Sequence, residues 1–255
     1  VAKARKDHEH VKTERVQWFG CACCPPNIAR LVCSVSQFQY SHDETGIWVH
    51  QYAPSRATVN SARGPIRIEQ SGDYPWESKI SLSLAEVPAG GGAWKLCLRV
   101  PEHAEAATLA VNGQVEVLRT NQEGYAEIRR EWKSGDRVEL EFDLPVRVLR
   151  SHPRVRETAG RVAIQRGPLV YCAEERDNGP DLHLLYLDSA ADFRVETIDG
   201  LGEGTRCIRA KGWRVVASAD GPLYSTSTSQ RTACEIVLVP YYAWGNRGAG
   251  EMRVW

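Results

Sequence analysis

From about residue 42 onward the apolar residues of this chain recur at every second position, and that period restricts the fold more than any other feature. Ile80, Leu82 and Leu84 alternate with Ser81 and Ser83. Leu96, Leu98 and Val100 alternate with Cys97 and Arg99, and Val138, Leu140, Phe142 and Leu144 with Glu139, Glu141 and Asp143. Successive side chains of a strand point to opposite faces, so each run predicts a strand with one face in a core and one in water, as in antiparallel sheets. Turn chemistry separates the runs. Asn112-Gly113, between Leu109-Ala110-Val111 and Val115-Glu116-Val117, is a two-residue hairpin signal, because both residues tolerate the positive φ of a type I′ turn. Gly90-Gly91-Gly92 and Ser134-Gly135-Asp136 mark further turns or loops. Many short strands at this spacing predict a mainly β chain made of β-sandwich-type domains.

One segment departs from that period. Ile28, Leu31, Val32, Val35 and Phe38 fall at i, i+3, i+4, i+7 and i+10, the apolar stripe of a helix. Pro26 suits the first helical position, where a missing N–H costs nothing, and the helix is predicted to end near Tyr40, before Ser41-His42-Asp43-Glu44. Val146-Arg147-Val148-Leu149 reads as an exit strand leading into a junction at Ser151-His152-Pro153. Strand patterns restart at Arg161–Ile164 and Pro168–Cys172, and Glu235–Val239 is the last. The division that follows is a helical segment over residues 1–41, a first β-sandwich over 42–150 and a C-terminal β-sandwich over 151–255.

Charge and composition exclude some partners. Lys plus Arg and Asp plus Glu both total 32, so there is no electrostatic reason to expect nucleic acid or an anionic membrane. No apolar run approaches the roughly 18 residues that would read as a membrane span. The chain opens on Val1 and its only Met is Met252, so it reads as a segment of a longer protein, and the lack of a signal peptide carries no information on location. Of eight cysteines, Cys33, Cys97, Cys172, Cys207 and Cys234 are single and scattered, mostly in apolar runs. That is the pattern of buried free thiols, and it points to a reducing, cytoplasmic setting.

The other three cysteines carry the chemistry. Cys21, Cys23 and Cys24 lie within four residues, in the run Trp18-Phe19-Gly20-Cys21-Ala22-Cys23-Cys24-Pro25-Pro26-Asn27-Ile28-Ala29-Arg30, immediately before the predicted helix. A residue before proline is held extended, which sets Cys24 just outside the helix. The positive end of a helix dipole favours a thiolate, and a bound metal favours it further. A thiolate of that kind serves as metal ligand or as nucleophile. The cluster is incomplete as a metal site, since structural zinc takes four ligands and catalytic zinc usually three, and its spacing is tighter than the roughly two to four residues usual between zinc-binding cysteines. On these residues alone, a structural or redox role stays open beside the catalytic one.

The same run closely resembles the end of the catalytic barrel in glycoside hydrolase family 127, the non-reducing-end β-L-arabinofuranosidases. Gly46-Ile47-Trp48-Val49-His50-Gln51-Tyr52-Ala53-Pro54-Ser55, Gln165-Arg166-Gly167-Pro168-Leu169-Val170-Tyr171-Cys172 and Pro240-Tyr241-Tyr242-Ala243-Trp244-Gly245-Asn246-Arg247-Gly248 are similar to that family too, in the right order along the whole chain. The resemblance implies that residues 1–41 are the C-terminal stub, with the last helix, of a truncated (α/α)6 barrel, followed by two β-sandwich domains. It implies a zinc ion held by a Glu and a Cys from earlier in the barrel and by Cys23 and Cys24. Cys23 is then the nucleophile of a retaining double displacement through a thioglycosyl intermediate, replacing one of the two carboxylates, about 5 Å apart, of the usual retaining site. The acid/base Glu, the other two ligands and most of the sugar pocket precede residue 1 in that family, and Cys21 matches no ligand position. The expected partner is a carbohydrate substrate, an arabinofuranoside; a homodimer is left open.

The remaining candidates have simpler readings. His8-Glu9-His10 does not match the i, i+4 spacing of a helical zinc motif and reads as a solvated charged segment. Glu14, beside Lys12 and Arg15, reads as surface charge. Tyr241, Tyr242, Trp244, Trp48 and Tyr52 could stack on a sugar, but aromatics in strands are more often core or interface residues. The rival to the enzyme is a non-catalytic carbohydrate-binding or interaction module with structural cysteines. A coding sequence for a helical barrel upstream of Val1 would favour the enzyme, and a start codon near residue 1 the module.

Overall fold

The computed structural model describes residues 14–18, 20, 23–104, 106–188, 191–216 and 221–255. Contacts divide the described residues into two units, one within 19–144 and the other made of 145–255 together with 14–18. The first unit begins with α1 (Cys24–Ser34), continued by a 3-10 turn over Val35–Phe38. Ten strands follow: β1 (Tyr40–His42), β2 (Gly46–Val49), β3 (Ser55–Ser61), β4 (Gly64–Gly72), β5 (Lys79–Glu86), β6 (Trp94–Arg99), β7 (Ala107–Val111), β8 (Gln114–Glu116), β9 (Tyr125–Arg130) and β10 (Arg137–Phe142). They form a four-stranded sheet of order β1-β2-β6-β9 and a six-stranded sheet of order β3-β4-β5-β10-β7-β8.

The inward residues of both sheets meet in one core. Ile47, Leu96 and Leu98 come from the smaller sheet, and Ile68, Leu82, Leu84 and Leu140 from the larger, all essentially inaccessible to water. Each such side chain stabilises the fold by about 1.5–3 kcal/mol through burial. The alternation read from β5 and β10 is therefore the sandwich's inner face, with Ser81, Ser83, Glu139 and Glu141 outside it. One pairing departs from the expected antiparallel pattern: β2 runs parallel to β6, with Gly46 opposite Lys95. A Cβ on Gly46 would come within 2.3 Å of the Lys95 carbonyl oxygen, so this parallel contact requires glycine.

Asn112-Gly113 makes the predicted hairpin between β7 and β8, with φ of 51° and 80°. Asn112 does more than turn the chain. Its amide donates to the nearly buried Asp136 carboxylate (2.9 Å) and its side-chain oxygen accepts from the Arg137 N–H (2.8 Å), while the second Asp136 oxygen accepts from the Lys133 N–H (2.9 Å). The hairpin and the Lys133–Asp136 turn are thus tied together.

The C-terminal unit holds β11 (Val146–Leu149), β12 (Ala163–Arg166), β13 (Leu169–Glu174), a short α2 (Glu175–Asn178), β14 (Leu185–Leu187), β15 (Arg194–Thr197), β16 (Arg206–Val215), β17 (Arg231–Pro240) and β18 (Met252–Arg253). They build one eight-stranded antiparallel sheet with the main path β11-β12-β13-β17-β16-β14. Alternate residues feed apolar clusters on its two faces: Tyr171, Ala173, Ile208 and Leu238 on one, Cys172, Cys207, Val237 and Val239 on the other. The chain is mainly β, as the period-two reading requires. No helix among the described residues is long and apolar enough to cross a membrane.

Candidate active site

The site is built from the first turn of α1. The helix starts at Cys24, with Pro25 and Pro26 in its first turn and Cys23 as the N-cap residue. The sequence reading placed Cys24 outside the helix. Proline is tolerated in the first turn as well as at its first position, since those N–H groups have no intrahelical acceptor, and so the helix begins two residues earlier. It ends as an α-helix at Ser34, short of Tyr40, the last turn tightening to 3-10 geometry. No side chain caps the N-terminus, and no acidic residue lies in the first turn to offset the positive end of the helix dipole.

Cys23 and Cys24 are both exposed and unpaired. Two residues with no assigned role in the sequence reading brace the Cys23 main chain. The Asn27 side-chain amide donates back to the Cys23 carbonyl at 3.2 Å, and the Arg30 guanidinium donates to the Asn27 side-chain oxygen at 2.9 Å. The i, i+4 and i, i+3 spacings from Cys23 to Asn27 and on to Arg30 were the available signal. Among the described residues no group of three or more His, Cys, Asp or Glu is placed to hold a metal ion. Cys23 and Cys24 offer two soft sulfur donors, which fits part of a zinc site.

The other described cysteines divide sharply. Cys97, Cys172 and Cys207 are buried, and burial pushes the Cys97 and Cys172 thiols up to about 12 and raises Cys207 as well. Such thiols are protonated and inert. Cys234 is half-buried with its thiol also raised by burial, and Cys33 is exposed on α1 rather than buried as expected. Ile28, Leu31, Val32, Val35 and Phe38, the stripe that predicted the helix, are 45–65% exposed, so no core covers Cys33 among the described residues.

The aromatic candidates separate. Tyr52 is a core residue whose hydroxyl donates to the Arg99 carbonyl, and Trp48 is half-buried in β2. Tyr241 and Tyr242 are exposed. Trp244 is half-buried under the Arg15 guanidinium, 5.5 Å from its ring centre. Arg15 also donates from its backbone N–H to the Gly245 carbonyl and from Nε to the Trp244 carbonyl, both at 2.8 Å. The terminal motif is fastened in turn by Arg247, buried against Glu174 and Asp177, and by the Gly245 N–H, which donates to Glu174 at 3.0 Å. Glu14 is exposed; His8-Glu9-His10 and Cys21 lie outside the described residues.

Each of the two β units matches the model of a known domain family. Residues 46–144 match the description "Beta-L-arabinofuranosidase, GH127 middle domain" and residues 146–255 match "Glycoside hydrolase family 127 C-terminal domain". The chain is 36% identical, over 97% of its length, to a non-reducing end β-L-arabinofuranosidase of Bifidobacterium longum subsp. longum, of which it spans 39%. It superposes with a TM-score of 0.91 on a GH127 β-L-arabinofuranosidase from Geobacillus stearothermophilus T6, at 40% identity, covering 99% of this chain and 40% of that one. A further GH127 β-arabinofuranosidase gives a TM-score of 0.85 at 33% identity, over 96% of this chain and 40% of that one. The chain belongs to glycoside hydrolase family 127, whose middle and C-terminal domains it carries, and spans about 40% of the length of the relatives it matches.

Proposed function

We propose that this chain is the C-terminal part of a retaining, zinc-dependent glycoside hydrolase that releases β-L-arabinofuranose from non-reducing ends. Cys23 is its nucleophile, and Cys23 and Cys24 are two of the zinc ligands. The observation that carries the reading is the pair of adjacent, exposed thiols at a helix N-terminus, with the Cys23 carbonyl held by Asn27. It stands in a chain 36% identical to a curated non-reducing end β-L-arabinofuranosidase.

Zinc, when bound, would hold these sulfurs as thiolates at neutral pH. The Cys23 sulfur then attacks the anomeric carbon as the glycosidic C–O bond breaks, and the leaving oxygen takes a proton from an acid outside this chain. Water next displaces the sulfur, giving its proton to the conjugate base of that acid and returning the electron pair of the C–S bond to Cys23, with net retention. Asn27 and Arg30 hold the Cys23 main chain while this occurs. The remaining donors and the acid/base Glu belong, in this reading, to the family's helical barrel. The buried free thiols Cys97, Cys172 and Cys207 support a reducing compartment.

The test uses the complete protein and an aryl β-L-arabinofuranoside. Cys23→Ser should lower kcat/KM at least about 10³-fold, as loss of a nucleophile does. Cys24→Ser should lose bound zinc by elemental analysis. Undiminished turnover in Cys23→Ser removes the assigned nucleophile. Turnover by the 255-residue chain alone, abolished by Cys23→Ser, removes the need for a barrel.

A further inference from the structure

The first β unit contains a pocket of about 320 Å³, close to the lower bound of roughly 300 Å³ for small-molecule sites. It lies where the β3–β4 turn, the β5–β6 loop and the turn after β9 converge. We propose that this pocket binds a single neutral sugar ring.

Its wall is apolar and fixed. Trp94 and Trp132 line it and are 2% and 3% exposed, and the Trp132 indole N–H donates to the Trp94 carbonyl at 3.2 Å, which locks the ring in place. Its polar groups are held but not consumed. Arg63 donates from Nε to the Gly91 carbonyl at 3.1 Å, while its two terminal nitrogens have no partner among the described residues. The Arg63 stem lies against Gly91, where an added Cβ would sit 3.3 Å from Arg63 Cδ. The Ser134 hydroxyl accepts from the Val87 N–H at 2.9 Å and ties the two rims together. Exposed Glu131 and Lys133 complete the mouth.

The chemistry of this lining selects a polyol. A guanidinium with two free nitrogens is a fork that meets two adjacent hydroxyl oxygens, Lys133 adds donors, and Glu131 supplies an acceptor for hydroxyl protons. An anion would gain from Arg63 and Lys133 but meet the Glu131 carboxylate. A purely apolar ligand would leave all three charged groups without partners. A sugar ring uses both kinds of hydrogen bond and presents its C–H face to the half-buried Val87 and Pro88 side chains of the lining. The choice of class stands on the lining alone and does not require that the cysteine site be active.

The experiment is an ¹H–¹⁵N NMR titration of the 255-residue chain with L-arabinose, D-galactose and, separately, inorganic phosphate. The expected result is saturable binding of at least one sugar in the millimolar range, with shifts concentrated at the Gly90–Gly92 amides and the Trp132 indole. Arg63→Met, which keeps the apolar stem, should weaken that binding about tenfold, the value of a lost charged hydrogen bond. Gly91→Ala should weaken it severalfold by displacing Arg63. Dispersed amide spectra confirm that both variants fold. Failure of both sugars to saturate overturns the proposal, as do shifts centred elsewhere, preference for phosphate, or unchanged affinity in Arg63→Met. Loss of hydrolysis in the complete Cys23→Ser protein with sugar binding here intact would separate this site from the catalytic reading.

Discussion

Asp136 is a small residue with a large share in the first unit: its two oxygens serve Asn112 and the Lys133 N–H, and through Asn112 it fixes the start of β10. Asp136→Ala leaves those donors unpaired at a nearly buried position, so a loss of about 1–3 kcal/mol is expected in urea unfolding. Gly212 is constrained differently. A Cβ there would lie 2.4 Å from Ile236 Cδ1 and 2.5 Å from the Tyr186 carbonyl, so Gly212→Ala should cost about 1–3 kcal/mol and lower Tm. His50 contributes a pH dependence. Its ring is hydrogen-bonded at both nitrogens, to Tyr125 and Ser41 at 2.7 Å, and burial, reinforced by the positive charge of Arg99, lowers its pKa below the usual 6.5. The unfolded chain therefore takes up that proton first, and the contribution is present above about pH 6.5 and lost as pH falls through the lower folded value. His50→Gln should flatten the stability profile in that window, read from urea midpoints between pH 5 and pH 7.5. These residue roles were mostly illegible beforehand. A turn signal says that Asn112 can adopt positive φ, but not that its side chain reaches a carboxylate 24 positions away.

At the scale of elements, the strands were legible because burial acts on one side of each. Ile80, Leu82 and Leu84 could not exchange faces with the serines between them without emptying the core. Parallel pairing of β2 with β6 was not legible, since Gly46 resembles any other glycine until the Lys95 carbonyl lies against it. The helix was legible from its stripe, and in this chain that stripe is exposed. That exposure sorts the thiols by element. Brief treatment of the folded chain with iodoacetamide should modify Cys23, Cys24 and Cys33, and spare Cys97, Cys172 and Cys207 until denaturant is added. Peptide mass spectrometry checks the order. The Cys23-Cys24 pair was the most legible part of the site, and the Asn27–Arg30 brace the least, because its i, i+4 and i, i+3 spacings recur along any helix and do not single these residues out.

Across the whole chain, the C-terminal unit depends on a buried ionic latch. Arg247, Glu174 and Asp177 sit with side chains 8%, 6% and 16% exposed, and Arg247 Nε has no partner among the described residues. Arg247→Met would leave two carboxylates uncompensated in a poorly solvated site, an expected loss of about 3–5 kcal/mol in calorimetry. Adding Glu174→Gln and Asp177→Asn should recover part of it, because the uncompensated charge is then removed. The latch holds the Trp244–Gly245 stretch that receives Arg15, so its failure should also release the segment before the cysteine run within the same unit.

The helix stripe has a practical consequence. Ile28, Leu31, Val32, Val35 and Phe38 leave roughly 5 kcal/mol of burial unrealised at about 1 kcal/mol each for half-exposed side chains. A surface of that kind makes the chain adhesive when handled by itself. It should retard on hydrophobic resin, light up a fluorescent dye such as ANS, and sediment as larger species as its concentration rises. Mild detergent, or Leu31→Lys with Val35→Glu, should reverse all three without touching any of the sheets.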